Sequence, residues 1–348
     1  QWPGALGATW STDAPPLQPT VFPVADLQAR PELRAGARVL VRGAALTAID
    51  ALLALTLGRG QEPATPDLQL VLASRTGRPM MPKTPADVLR PLVERAGDLA
   101  DVRTRIAAGA DVPAQLRVLA ARLLGDGPQS QEEVACAESR LGGDGSDEDP
   151  VAVLRRGVEV ASGVRRPDGA WALGQAWRLL YRDLVERQRR TPSSCPPLDW
   201  PGFSTCAPEL ERLAFGPPLV NARHLLDALT GAQVTMVRGG LEVVGRQEAD
   251  LVVDAVLPPP GIVDLADDHV LGRLRDQGVL SHGEGRRGAR IDADATVIDA
   301  CGNRVLGLAL VGRATEDEVL GNDTLDRTMH PHVDRWAQRV ASSEAARP

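Results

Sequence analysis

Two short stretches carry most of the residues that could do chemistry. In "RVLVRGAALTAIDALLALTLG" a β-branched run ends at Gly43, and an apolar helical run begins within three residues. A glycine that closes a strand just before a helix can bring backbone N–H groups against a phosphate; the fingerprint is G-x-G-x-x-G/A. Its three places fall here on Gly43, Ala45 and Ala48. Gly43 supplies the sharp turn, and a methyl at Ala48 still permits close helix–strand packing. Ala45 narrows the space against a pyrophosphate, although the helix N-terminus keeps its donors. The candidate phosphate-binding residues are Gly43, Ala44, Ala45, Leu46 and Thr47.

The second stretch is "LQLVLASRTGRP", a buried strand that ends in Ser74, Arg75 and, after a turn, Arg78. A carboxylate at this place would bind the ribose 2′-hydroxyl of NAD. A hydroxyl with guanidinium groups suits a 2′-phosphate, so NADP(H) is expected over NAD(H). Spacing alone is equally consistent with a plain strand–helix–strand packing unit and ordinary polar loop residues.

Elsewhere the signals are thinner. His330 and His332 in "MHPH" flank a proline, poor geometry for a chelate, and no acidic or histidine pattern completes a metal site. A polar role at a helix start fits them better. "GNDT" offers Asn322 and Thr324 as capping residues that could face a flavin from a helix N-terminus, with simple capping as the plainer reading. There is no G-x-S-x-G, and no catalytic residue can be assigned.

These residues must be positioned by elements that the periodicity predicts. "RVLVRG", the apolar helix closing at Gly58, and "LQLVLASR" form a strand–helix–strand unit whose crossover demands parallel pairing. From 84 to 216 apolar residues repeat at helical spacing, in "ADVLRPLVERAGDLADVRTRI", "PAQLRVLAARLLG", "QEEVACAESRL", "VAVLRRGVEVASG" and "AWALGQAWRLLYRDLVERQRR". An acidic loop, "LGGDGSDEDP", interrupts them. "DWPGFSTC" and "FGPPLVNARH" read as hinges. The α/β pattern then returns: helix "PPLVNARHLLDALTG", strand "AQVTMVRG" with hairpin partner "LEVVGR", strand "ADLVVDAVLPPPG", a short helix, strand-like "RIDADATVI" and "NRVLGLALVGRA", and a final helix. Residues 1–36 are proline-rich and read as an extended connection.

Composition bounds the function. At 348 residues the chain can hold two domains. A net charge of -7 argues against a nucleic-acid partner. The longest apolar run, 43–58, contains Asp50 and falls short of the ~20 residues that cross a bilayer. The four cysteines lack C-x-x-C spacing, which fits reduced thiols and a cytoplasmic protein.

Taken together, "VLVRGAALTAIDALLALTLGRG" followed by "LVLASRTGRPMMPKT" resembles the second Rossmann motif of FAD/NAD(P)-binding oxidoreductases. The likeness is to the bacterial flavin-dependent monooxygenase-like group, in which an NAD(P)-binding unit is inserted into an FAD-binding domain. "ADLVVDAVLPPPG" resembles the strand where the chain returns to that domain, and "LGLALVGRATEDEVLGNDTLDRTMHPHVDRW" resembles the last strand and helix. The resemblance implies an α/β, Rossmann-like FAD/NAD(P)-binding fold interrupted by a helical subdomain. Its parts would be a linker over 1–36, an NAD(P)-binding βαβ unit over 37–83, a helical insertion over 84–216 and a C-terminal α/β part over 217–348. It further implies hydride transfer from NADPH to FAD and a small-molecule substrate. FAD would bind only with an N-terminal FAD-binding part, absent here, for which a separate FAD-domain polypeptide is one source. The alternative is a non-catalytic binding module with a degenerate dinucleotide site.

Overall fold

The computed structural model describes residues 14–57, 67–142, 148–239, 248–257, 260–265, 269–322 and 328–345. In chain order the elements are β1 (Leu17–Gln18), α1 (Val24–Gln28), β2 (Arg38–Arg42), α2 (Leu46–Thr56) and β3 (Gln69–Ser74). A helical stretch follows: α3 (Ala86–Ala96), α4 (Ala100–Ala107), α5 (Val112–Leu124), α6 (Pro128–Glu138), α7 (Pro150–Ala161), α8 (Gly169–Gln188) and α9 (Phe203–Ala214). Then come α10 (Leu219–Thr230), β4 (Val234–Arg238), β5 (Leu251–Asp254), α11 (Val270–Asp276), β6 (Thr296–Ile298), β7 (Arg304–Ala309) and α12 (His332–Ala345). The chain divides into two compact units: 1–98, 117–178 and 205–258 form one, and 99–116, 179–204 and 259–348 the other. The helices between 84 and 216 are thus shared between the units.

The first unit is built on a five-stranded sheet in the order β1-β5-β2-β3-β4, with every pair parallel. Both faces of its strands are apolar, as a parallel sheet requires. Val39 and Val41, Leu70 and Leu72, Leu251 and Val253 point to one face. There they meet Ala48, Ile49, Ala51, Leu52 and Leu55 of α2 and Ala222, Leu225, Ala228 and Leu229 of α10. Leu40, Val71, Ala73 and Val252 are buried on the opposite face. Burying a leucine or isoleucine contributes ~1.5–3 kcal/mol, so this layer fixes α2 against β2.

The topology places the site. From β2 the chain moves outward to β3 and β4, then returns to lay β5 on the other side of β2. The boundary between β2 and β5 is a topological switch point. In open α/β sheets, ligands bind in the crevice outside the carboxyl ends of the strands at such a point.

The second unit contains an antiparallel pair, β6–β7, and a small core of Ile262, Leu280, Ala289 and Val297. A buried guanidinium knits its loops together. Arg286 is 3% exposed and donates to the carbonyls of Pro192 (2.7 Å) and Cys195 (3.2 Å) and to Glu318 (2.7 Å). Gln188 works likewise, donating to Asp317 O at 2.7 Å and accepting from Leu198 N at 2.6 Å.

Several elements differ from the sequence reading. The run 86–106 is two helices, because Gly97 takes φ +76 and ends the first. The end of "DWPGFSTC", read as a hinge, already belongs to helix α9; Pro208 lies inside that helix and removes one i→i−4 hydrogen bond. The 1–36 stretch contributes β1 to the sheet edge. Only Thr296–Ile298 of "RIDADATVI" is strand, because the Asp292 and Asp294 carboxylates both accept from Thr296 N and make a tight turn. "LEVVGR" lies outside the described residues.

Candidate functional site

β2 ends at Arg42, and Gly43 turns the chain with φ +122, a conformation closed to most L-residues. A Cβ at Gly43 would lie 3.2 Å from the carbonyl oxygen of Ala255, so φ favours glycine and the space for a side chain is tight. Gly43 N donates to Ala73 O at 2.7 Å, which locks the turn to β3. The first intrahelical bonds of α2 are those from Ala48 N (3.0 Å) and Ile49 N (3.1 Å), both to Ala45 O. Ala45 is the N-cap, is exposed, and has no side chain with which to cap. The N–H groups of Ala44, Ala45, Leu46 and Thr47 therefore have no partner among the described residues. Four successive unpaired donors at a helix N-terminus attract an anion.

An ion pair joins the ends of β2 and β5 beside this turn. Arg42 and Asp254 are register partners on β2 and β5, and Nη1 of Arg42 donates to both carboxylate oxygens at 3.0 and 3.2 Å. The Asp254 side chain is fully buried, whereas that of Arg42 is 21% exposed. Val256 N also donates to Asp254 Oδ1 at 3.2 Å. Neither residue is among the sequence-derived candidates. The available signal was a carboxylate ending the otherwise apolar run "LVVD".

At the end of β3, Ser74 Oγ accepts from Gly77 N at 3.0 Å and so shapes its own turn. Arg75 is exposed, without a hydrogen bond or ion pair among the described residues. Arg78 pairs with Glu209 at 2.9 Å, each side chain little exposed, and Arg212 grips the same carboxylate at 2.7 Å. Burial lowers the Arg78 pKa. It also works to raise that of Glu209, but the hydrogen bond and charge of Arg212, with Arg78, hold the carboxyl below its ordinary range. Of the two arginines, Arg75 is the one with its donors free.

In the second unit, Asn322 Nδ2 donates to Glu316 Oε2 at 2.9 Å and to Val319 O at 3.2 Å. Its Oδ1 is buried without a partner among the described residues. Thr324 lies outside the described residues. His330 Nε2 donates to Gly321 O at 2.7 Å, leaving Nδ1 buried with no partner among the described residues. His332 is the first residue of α12; burial, then the charges of His330, Arg189 and Arg335, lower its pKa to about 4. Among the described residues no group of three or more His, Cys, Asp or Glu is placed to hold a metal ion. His224 is used structurally, against Thr56 Oγ1 at 2.8 Å, while that hydroxyl donates to Leu52 O. Asp50 is half-buried, and desolvation raises its carboxyl pKa.

No helix among the described residues is long and apolar enough to cross a membrane. No protein-family profile matches the chain, and no curated protein does so either. Its chemistry must be argued from the geometry above.

Proposed function

We propose that the chain is the NADPH-binding and C-terminal portion of a flavin-dependent, monooxygenase-like oxidoreductase. The observation that carries this reading is the row of unpaired N–H groups from Ala44 to Thr47 at the sheet's switch point. These donors would hold the pyrophosphate, with Gly43 setting their direction. Ser74 and Arg75, at the end of the next strand, would meet the adenosine side, and Arg75 would engage the 2′-phosphate. Arg78, committed to Glu209, would support that turn from beneath. Asn322 and Thr324 would be the residues that face the flavin; Oδ1 of Asn322, buried and without a partner among the described residues, is an acceptor available to a donor-bearing ligand. When bound, NADPH would supply a hydride to FAD. The chain's own part is to orient and shield. NADPH fluorescence titrated with the protein tests the reading: a saturable change supports it, and a flat response refutes it.

Two observations favour a second reading, a non-catalytic binding module with a degenerate site. Asp254 holds a buried carboxylate at the crevice, where an anion would also sit, and Ala45 occupies the place of the second glycine.

A further inference from the structure

The sheet brings one more arginine to the end of β3. Ser74 and Arg238 are register partners on β3 and β4, and Gly239 N donates to Ser74 O at 2.9 Å. A Cβ on Gly77 would sit 3.2 Å from both Cβ and N of Arg238, so the Ser74–Arg78 turn lies directly on Arg238. The side chain of Arg238 is exposed and has no hydrogen bond or ion pair among the described residues.

The local charge does not balance. Arg78 and Arg212 share one carboxylate, that of Glu209. Arg238 is close enough for its charge, with that of Arg212, to oppose the protonation of Arg78. Glu148, the other carboxylate acting on Arg78, is already paired with Arg156 at 2.6 Å. Arg75 and Arg238 are therefore left without a described acidic partner at the end of β3, in a chain whose net charge is -7. Two exposed guanidiniums flanking a serine turn match a phosphomonoester, which carries close to two charges near neutral pH. A structural ion pair would need a free carboxylate, and Glu209 and Glu148, the two that act on Arg78, are already paired.

We propose that Arg238 is the second guanidinium of a phosphomonoester subsite whose first is Arg75, making it a determinant of selectivity for 2′-phosphorylated adenosine nucleotides. This rests on the dinucleotide reading above. Arg75 approaches from the turn after β3, Arg238 from the neighbouring strand end, and the phosphate oxygens accept from both. Because Arg238 meets only the 2′-phosphate, its removal weakens 2′-phosphorylated ligands alone.

The test is calorimetric titration of wild type, Arg238→Gln and Arg238→Lys with four probes: NADPH, NADH, adenosine 2′,5′-bisphosphate and AMP. Arg238→Gln should weaken NADPH and the bisphosphate roughly tenfold, about one charge-assisted contact, and leave NADH and AMP unchanged. Arg238→Lys should keep the charge but lose the bidentate geometry, and fall between the two. The proposal is overturned if Arg238→Gln leaves the NADPH/NADH ratio intact, or if it weakens all four probes equally, which marks a structural role. Binding of NADPH by the wild type with no change in either variant sinks this inference alone. Binding of no nucleotide by the wild type sinks the dinucleotide reading and this inference with it.

Discussion

Arg42 and Asp254 stand side by side in register on adjacent parallel strands, joined at 3.0 Å, with the carboxylate fully removed from solvent. The pair ties the strand that enters the crevice to the strand that returns to it. Breaking it from one side strands a buried charge. Arg42→Ala should cost ~3–5 kcal/mol, because one N–H from Val256 is all that remains to Asp254. The double variant Arg42→Met/Asp254→Leu should recover most of that loss. Urea unfolding of the single and double variants checks both statements, and a double variant as unstable as Arg42→Ala would contradict them.

Gly43→Ala should destabilise the fold and remove nucleotide binding together. The residue's φ of +122 and the 3.2 Å approach to Ala255 O leave no relaxed position for a methyl. The backbone term alone is ~1–2 kcal/mol. Thermal unfolding and NADPH titration of the same sample measure both effects. A variant that kept wild-type stability would show that the turn tolerates a side chain.

Ala45→Gly should act in the opposite sense on binding. It relieves crowding where the backbone approaches the pyrophosphate, so NADPH and NADH should tighten by the same factor. Tightening of one nucleotide only would place the effect away from the pyrophosphate.

The βαβ unit was legible because its signals are local. Strand period, a glycine turn and an apolar helix all occur within 37–74, and β2, α2 and β3 form there. The partners of Arg42 and Ser74 were not. Arg42 meets Asp254 across 212 residues, a register that depends on where β5 rejoins the sheet. Ser74 meets Arg238 through the same kind of long-range pairing. Helix α9 was hidden for a different reason. Prolines and a glycine around "DWPGFSTC" signal a turn locally, while burial of Phe203, Ala207, Leu210 and Leu213 favours a helix.

His332 gives the stability a pH dependence. Its folded-state pKa, about 4, lies below the ordinary 6.5, so the unfolded chain binds more protons between those values. The contribution of neutral His332 is complete above about pH 6.5 and is lost as pH falls toward 4. Denaturation midpoints measured across this window should decline, and His332→Gln should flatten the decline. An unchanged slope in the variant would assign the titration to another group.

The central claim is a dinucleotide site that prefers a 2′-phosphate. Its most direct test is calorimetric titration of the wild-type chain and Arg75→Ala with NADPH and NADH. A charge-assisted contact from Arg75 is worth ~1.5–3 kcal/mol, roughly ten- to hundredfold in affinity. NADPH should bind the wild type more tightly by about that factor, and Arg75→Ala should erase most of the difference while sparing NADH. Equal affinities in the wild type, or no heat from either nucleotide, would contradict the account and leave the binding-module reading.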